Sequence, residues 1–285
     1  MTWPVIDTTP PHRQSRAMPN SLEPPTPVGS LLRALRRQAR LSQLDLALQT
    51  DTSQRHLSCV ETGRARPSPA LLHTLLGALD TPLSARNALF LAAGYAPPHD
   101  ALPLTDPSLE MVREAIMHVL KANNPAPAIV IDSQWQVLAA NDSTALLFDL
   151  LGLPGDAASG GLNLLTTLLE PGGLGDYLLN AEQIRGVAWL RASREAHSNP
   201  ALAQRLAGLP RPEGLAADDP QCQIPPVLLT RLACAAGELS FLSTFTTFGM
   251  PLDITVESLR IEHLIPADPQ TWQIMTRAWE QANAR

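Results

Sequence analysis

The sequence predicts two domains of different class, an all-α five-helix domain followed by an α+β domain. Three observations lead there. Residues 28–96 carry apolar side chains at helical spacing, cut into short segments by capping and turn residues. From Ala128 onward, short β-type runs separated by turn residues alternate with helical stretches. Charge divides at the same place: residues 28–96 hold eight arginines against four acidic residues, and residues 97–285 hold eleven basic against twenty-one acidic, within a net charge of −6. A basic segment joined to an acidic remainder fits a module that meets a polyanion attached to one that does not.

The elements follow in order. Residues 1–27 hold seven prolines and no apolar periodicity, so a disordered Pro-rich arm is expected there. Val28, Leu31, Leu32, Leu35 and Ala39 make one stripe of an amphipathic helix, with Arg33, Arg36, Arg37 and Arg40 largely outside it. Ser42 suits the N-cap of a second helix whose apolar side is Leu46, Ala47 and Leu48. The polar, β-branched Thr50-Asp51-Thr52 suits a turn, and Ser53 restarts a helix. Leu57 and Val60 face inward along that helix, and Gly63 closes it at C′. Its outward side is Gln54, Arg55, His56, Ser58 and Cys59, polar enough to fit a DNA major groove. After the basic loop Arg64-Ala65-Arg66, Ser68 and Pro69 open a helix from Ala70 to Leu79. Thr81-Pro82 interrupts it, and Ser84 to Ala93 forms a fifth helix that Gly94 ends.

Residues 99–106 read as a linker between a domain at 28–98 and one at 107–285. A helix starts at Thr105-Asp106-Pro107 and runs to about Ala122, with Leu109, Val112, Ile116, Val119 and Leu120 on one face. Ala128 to Asp132 and Trp135 to Ala139 read as strands joined by a hairpin-type turn, and Asn141 caps an apolar helix that runs to Leu151. Gly152 to Gly161 reads as a loop. Helices are expected over 162–169, 177–196, from Asn199-Pro200 to Gly208, and over 228–235. The runs 238–248 and 253–263 read as paired strands, and Asp268 caps a last helix carrying Trp272, Met275 and Trp279.

Composition removes several function classes. No run approaches the roughly 18–20 apolar residues of a membrane span, and no basic-then-apolar leader is seen, so a cytoplasmic protein with no membrane partner is expected. Cys59, Cys222 and Cys234 are too far apart for a CxxC site and odd in number for a disulfide framework. The seven histidines are scattered, with no HExxH, and neither a P-loop nor a GxGxxG fingerprint occurs. Gly152 to Gly161 lacks a lysine and follows no strand, which argues against a phosphate cradle. No catalytic set, metal site or cofactor is expected.

Residues 28–98 resemble the helix-turn-helix domain of the XRE, or lambda-repressor-like, family. The resemblance is carried by Leu41-Ser42-Gln43 with Leu46-Ala47, Arg55-His56-Leu57-Ser58, Val60-Glu61-Thr62-Gly63-Arg64 and Pro67-Ser68. The tail Arg86-Asn87-Ala88-Leu89 with Ala92-Ala93-Gly94-Tyr95-Ala96-Pro97 completes it. It implies that Ser53 to Thr62 is the recognition helix on an operator in double-stranded DNA. Gln54 and Arg55 then read base edges, Gln pairing with adenine and Arg with guanine. Gln43 meets a phosphate at the N-terminus of its helix, Arg64 and Arg66 meet the backbone, and Cys59 faces the groove. Ser53 and His56, in the same first turn, are further DNA-contact candidates, although the His56 ring is expected to be packed or backbone-bonded more than base-reading. Glu61 is expected to be structural, since a carboxylate near phosphate is unfavourable unless it holds an arginine or a backbone amide.

Strand, turn, strand and an Asn-capped helix resemble the opening of a PAS-type domain, and the region as a whole resembles the ligand-binding domain of MmyB-like transcription regulators. The matching residues are Pro127-Ala128-Ile129-Val130, Trp135-Gln136-Val137-Leu138-Ala139-Ala140-Asn141, Asn163-Leu164-Leu165, Leu190-Arg191, Asn199-Pro200, Leu259-Arg260-Ile261-Glu262 and Pro266-Ala267-Asp268. The resemblance implies a lipophilic ligand, with a fatty acid the best single expectation. Apolar candidates for its pocket are Trp135, Val137, Leu147, Phe148, Leu164, Leu165, Leu168, Trp189, Phe241, Phe245 and Phe248. Asn141, Arg191, Thr246 and Arg260 are candidates for a carboxylate head. A homodimer is expected, because one reading head covers too few base pairs for useful specificity. The alternative is a DNA-binding scaffold whose second half is a filled protein-interaction or dimerisation module.

Overall fold

A computed structural model describes residues 27–153, 161–196, 199–212 and 227–284. The arm expected over 1–27 lies outside these apart from Pro27, as do Cys222 and most of the loop expected over 152–161. Contacts divide the chain into two compact units. One includes the chain up to Thr81 and Ala88–Ala96, and the other comprises Pro82–Asn87 and the chain from Pro97 onward.

The first unit is helical: α1 (Pro27–Gln38), α2 (Gln43–Gln49), α3 (Gln54–Glu61), α4 (Pro69–Ala78) and the later part of α5 (Leu83–Ala92). The expected caps are in place. Ser42, Ser53 and Ser68 each accept a backbone N–H three residues on, and Ser42 forms a full capping box with Asp45. Gly63 has φ of 77°, as a C′ residue in the left-handed region does. Val28, Leu32, Leu46, Leu57, Val60, Leu72, Leu75, Leu76 and Phe90 close one apolar core. Gly29 lets α1 lie on the end of α3: a Cβ there would sit 2.5 Å from the Val60 carbonyl oxygen.

The second unit is built on a five-stranded antiparallel sheet, in the order β2-β1-β5-β4-β3. The strands are β1 (Ala128–Ile131), β2 (Val137–Ala140), β3 (Leu229–Cys234), β4 (Gly237–Thr246) and β5 (Arg260–Pro266). One face carries Ile129, Ile131, Leu232, Leu239, Phe241 and Leu264, packed with residues of α7 (Asp142–Leu151), α8 (Leu164–Leu169), α9 (Ala181–Ala196), α10 (Pro200–Ala207) and α12 (Pro269–Asn283). The other face packs Ala128, Val130 and Ile261 on Ile116 and Leu120 of α6 (Glu110–Ala122). The two-domain, all-α then α+β expectation therefore holds.

Several element expectations are corrected. Within 228–235, Leu229–Cys234 form strand β3, with Leu229 opposite Leu242 and Cys234 opposite Gly237. Leu228, Thr230 and Leu232 share one face of it, and the leucines suggested a helix only because strand partners are invisible in a linear reading. Residues 253–263 are not one strand. Asp253 caps the short helix α11 (Ile254–Ser258) by accepting from the Val256 N–H, and only then does β5 begin. Strand β2 starts at Val137, because Trp135 has φ of 63° and closes the turn after β1. Helix α9 starts at Ala181, and Leu174–Tyr177 is a separate 3-10 turn.

Candidate functional site

In the first unit, Gln54, Arg55 and His56 stand exposed on the opening turn of α3, and Cys59 is half-buried one turn on. The Ser53 hydroxyl accepts from the His56 backbone N–H at 3.1 Å, which fixes the start of the helix. The His56 ring is exposed, where a packed or backbone-bonded ring was expected; only its backbone is tied. Arg64 and Arg66 are both exposed. Arg64 Nε donates to Thr62 Oγ1, while Arg66 donates to the Gly94 carbonyl and stacks 4.3 Å from the Tyr95 ring centre.

Behind α3 lies a closed polar cluster. Arg36 of α1 makes a two-pronged contact with Glu61, Nε to Oε1 at 2.6 Å and Nη2 to Oε2 at 2.9 Å, and also donates to the Leu41 carbonyl. Gln43 Nε2 donates to Glu61 Oε2 at 2.8 Å, and Arg33 lies 3.5 Å from that oxygen. Burial pushes the Glu61 carboxyl up, but the bonds from Arg36 and Gln43, the Arg36 charge and Arg33 hold it below the ordinary glutamate range. Glu61 thus holds an arginine and ties the helix before the turn to the one after it. Gln43, expected at a phosphate, has one amide N–H on Glu61, which orients its side chain.

The second unit contains a cavity of about 200 Å³ between the sheet and its helices. Its walls are mostly aliphatic and aromatic, and its only ionisable lining residues among those described are Arg191 and Glu262. Of the expected pocket residues, Trp135, Val137, Leu147, Phe148, Leu164, Leu168, Arg191 and Phe245 line it. The others lie elsewhere. Leu165 and Phe241 are fully buried core, and Trp189 packs against that core. Asn141 is buried and used locally: its Oδ1 accepts the backbone N–H groups of Ala128 and Thr144, and its Nδ2 donates to the carbonyls of Leu120 and Ala126. Thr246 bonds His263, and Phe248 packs beside Leu259 and Ile261 on the opposite sheet face.

At the cavity wall, side chains from three elements meet. Trp135 occupies the left-handed region that bulky side chains avoid, at a cost of roughly 1–3 kcal/mol. That backbone is fixed by Asp132, whose Oδ1 accepts the N–H groups of Gln134 and Gln136. The indole Nε1 donates to Glu195 Oε2 at 2.9 Å. Glu195 Oε1 accepts both Arg191 Nε, at 3.1 Å, and Arg260 Nη1. Burial raises the Glu195 carboxyl, yet the bond and charge of Arg260, with Trp135 and Arg191, keep it below the ordinary range. The Arg191 guanidinium carbon sits 4.0 Å from the Phe245 ring centre and 5.3 Å from that of Trp135. Arg260 does not line the cavity; it braces this cluster and also donates to the Asp132 carbonyl.

The linear reading missed Glu262, Ser243, Thr144, Ile184, Val187 and Ala188 as lining residues. Glu262 was legible as one residue of a matching motif, but its direction follows from its pairing opposite Ile129 and Phe245. The helical residues face the cavity only because α9 lies over that sheet face.

Among the described residues, no helix is long and apolar enough to cross a membrane, and no cluster of metal-ligating side chains occurs. No curated protein matches the chain. A solved structure of an RNA-binding light-oxygen-voltage receptor is similar at 15% identity over 91% of this chain, with a TM-score of 0.26; the match spans 64% of that structure's chain. A helix-turn-helix domain model matches residues 27–89. The model of the MmyB-like transcription regulator ligand binding domain matches residues 112–278. With more than half of its length matched, the chain belongs to the MmyB-like transcription regulator family, its ligand-binding domain preceded by a helix-turn-helix domain.

Proposed function

We propose that this regulator binds an operator through the exposed first turn of α3 and responds to a fatty acid held between the sheet and helices of its second domain. Gln54 and Arg55 read base edges, as in the XRE-type arrangement. The second N–H of Gln43, with Arg64 and Arg66, meets phosphates. Two such heads act as a homodimer, since one covers only a few base pairs. The ligand changes DNA affinity by the difference in its own affinity for two arrangements of the protein.

One observation carries the ligand half of this reading: an apolar cavity has a cation, Arg191, in its wall. Apolar cavities stay dry and take apolar guests, while a guanidinium held on aromatic faces attracts a carboxylate. The cavity also weighs against the scaffold alternative, which needs a filled core. Gentle purification followed by native mass spectrometry tests the reading. A bound alkanoate in the wild type, with at least tenfold weaker alkanoate binding in Arg191→Met than for the alcohol of equal length, supports it. A protein that takes up neither acid nor alcohol overturns it.

A further inference from the structure

The cavity wall holds a second ionisable group that an acid-binding site does not need. Glu262 lies on β5, between Ile129 of β1 and Phe245 of β4, and lines the same cavity as Arg191. Among the described residues, the charged groups around it are few. Arg260 is two residues along its own strand, and α9 contributes Arg191 with Glu195 behind it. Strands β1, β3 and β4 present Ile129, Thr230, Ser243 and Phe245, and α7 presents Thr144, Leu147 and Phe148, none of them titratable. His263, the next residue, faces the other side and bonds Thr246 and Asn123.

Two arginines therefore meet two glutamates. Glu195 takes a hydrogen bond from each arginine, so Glu262 and an incoming carboxylate compete for the same remaining positive charge. Arg191 reaches Glu195 through Nε, and Arg260 Nε is buried without a hydrogen-bond partner among the described residues. With Glu262 ionised the four groups are neutral, and an added carboxylate leaves an uncompensated negative charge in an apolar space, which is costly. With Glu262 protonated, one anion restores neutrality.

Resting on the fatty-acid reading above, we propose that Glu262 is a proton-coupled selector: its own charge and that of a bound alkanoate exclude one another, so the protein captures an alkanoate together with one proton on Glu262. The proton comes from solvent, no covalent bond changes, and the ligand stays an anion on Arg191. Burial pushes the Glu262 carboxyl above the ordinary glutamate range, which brings the protonated form within reach.

Decanoate and decanol binding to the full chain, measured by calorimetry from neutral to mildly alkaline pH, tests this. An unperturbed alkanoate is ionised throughout that range and adds no pH dependence of its own. The expected result is decanoate affinity that falls with rising pH, by up to about tenfold per pH unit, while decanol affinity stays flat. In Glu262→Gln, whose melting curve checks its fold, decanoate affinity is flat and matches the wild type at its tightest. Decanoate affinity that is flat in the wild type overturns the coupling. A slope that survives in Glu262→Gln also overturns it, since the proton then resides elsewhere. Failure to bind either decanoate or decanol removes the fatty-acid reading itself.

Discussion

Each domain holds an arginine–glutamate cluster, and the two are built for different ends. In the first, Arg36, Gln43 and Glu61 join three helices, both oxygens of Glu61 are occupied, and its side chain is fully buried. In the second, Arg191, Glu195 and Arg260 are each partly accessible, and the cluster borders a cavity. A closed cluster can only hold elements together. A cluster with an open side and a further carboxylate beside it, Glu262, is arranged for the exchange of charge proposed above. The same residue types thus serve as a fastener in one domain and as a responsive site in the other, and the surrounding packing decides which.

The sharpest way to break this contrast is to remove one partner from each. Glu61→Ala strands Arg36 in the core and should cost about 3–5 kcal/mol in a urea titration followed by helix content. Arg191→Met should cost much less, because its guanidinium is partly solvated. Equal losses would erase the distinction. Acid should act on the first cluster in the same direction. The folded Glu61 carboxyl titrates below an unfolded glutamate, so its stabilisation is complete above about pH 4.3 and is lost as pH falls toward the folded value. Urea midpoints that fall on acidification in the wild type, and less steeply in Glu61→Gln, are the expected result.

Smaller effects sharpen the assignment of α3. Arg55→Ala should weaken operator binding by about 1–3 kcal/mol and relax preference at one base, with ligand affinity unchanged. Unaltered binding in an operator titration would move the reading role to another side chain. Ser53→Ala removes the cap of α3 and should lower stability by about 1 kcal/mol, read from the melting temperature of the full chain.

The helical domain was almost wholly legible because its signals are local. A serine cap, a stripe at helical spacing and a closing glycine lie within one or two turns of what they determine, so α2, α3 and α4 begin at their serines and α3 is closed by Gly63. The second domain was legible in class and in parts, such as the Asn141 and Asp268 caps. Strand β3 was misread because its partner, β4, lies across a short turn whose alanines carry no hairpin signal.

The candidate site divides in the same way. The chain alone determined the polar outward side of α3 and the presence of Trp135, Arg191 and Phe245, since exposed helix faces and aromatic residues are properties of short segments. Which of the apolar residues line a space and which fill the core was settled by tertiary structure. Leu168 faces the cavity and Leu165 does not, though both are leucines of α8. Glu262 gained its place the same way, through strand pairing between residues more than a hundred positions apart. Side-chain identity is written locally, but the dielectric and the neighbours that give a carboxylate its chemistry exist only once distant strands and helices have closed around it.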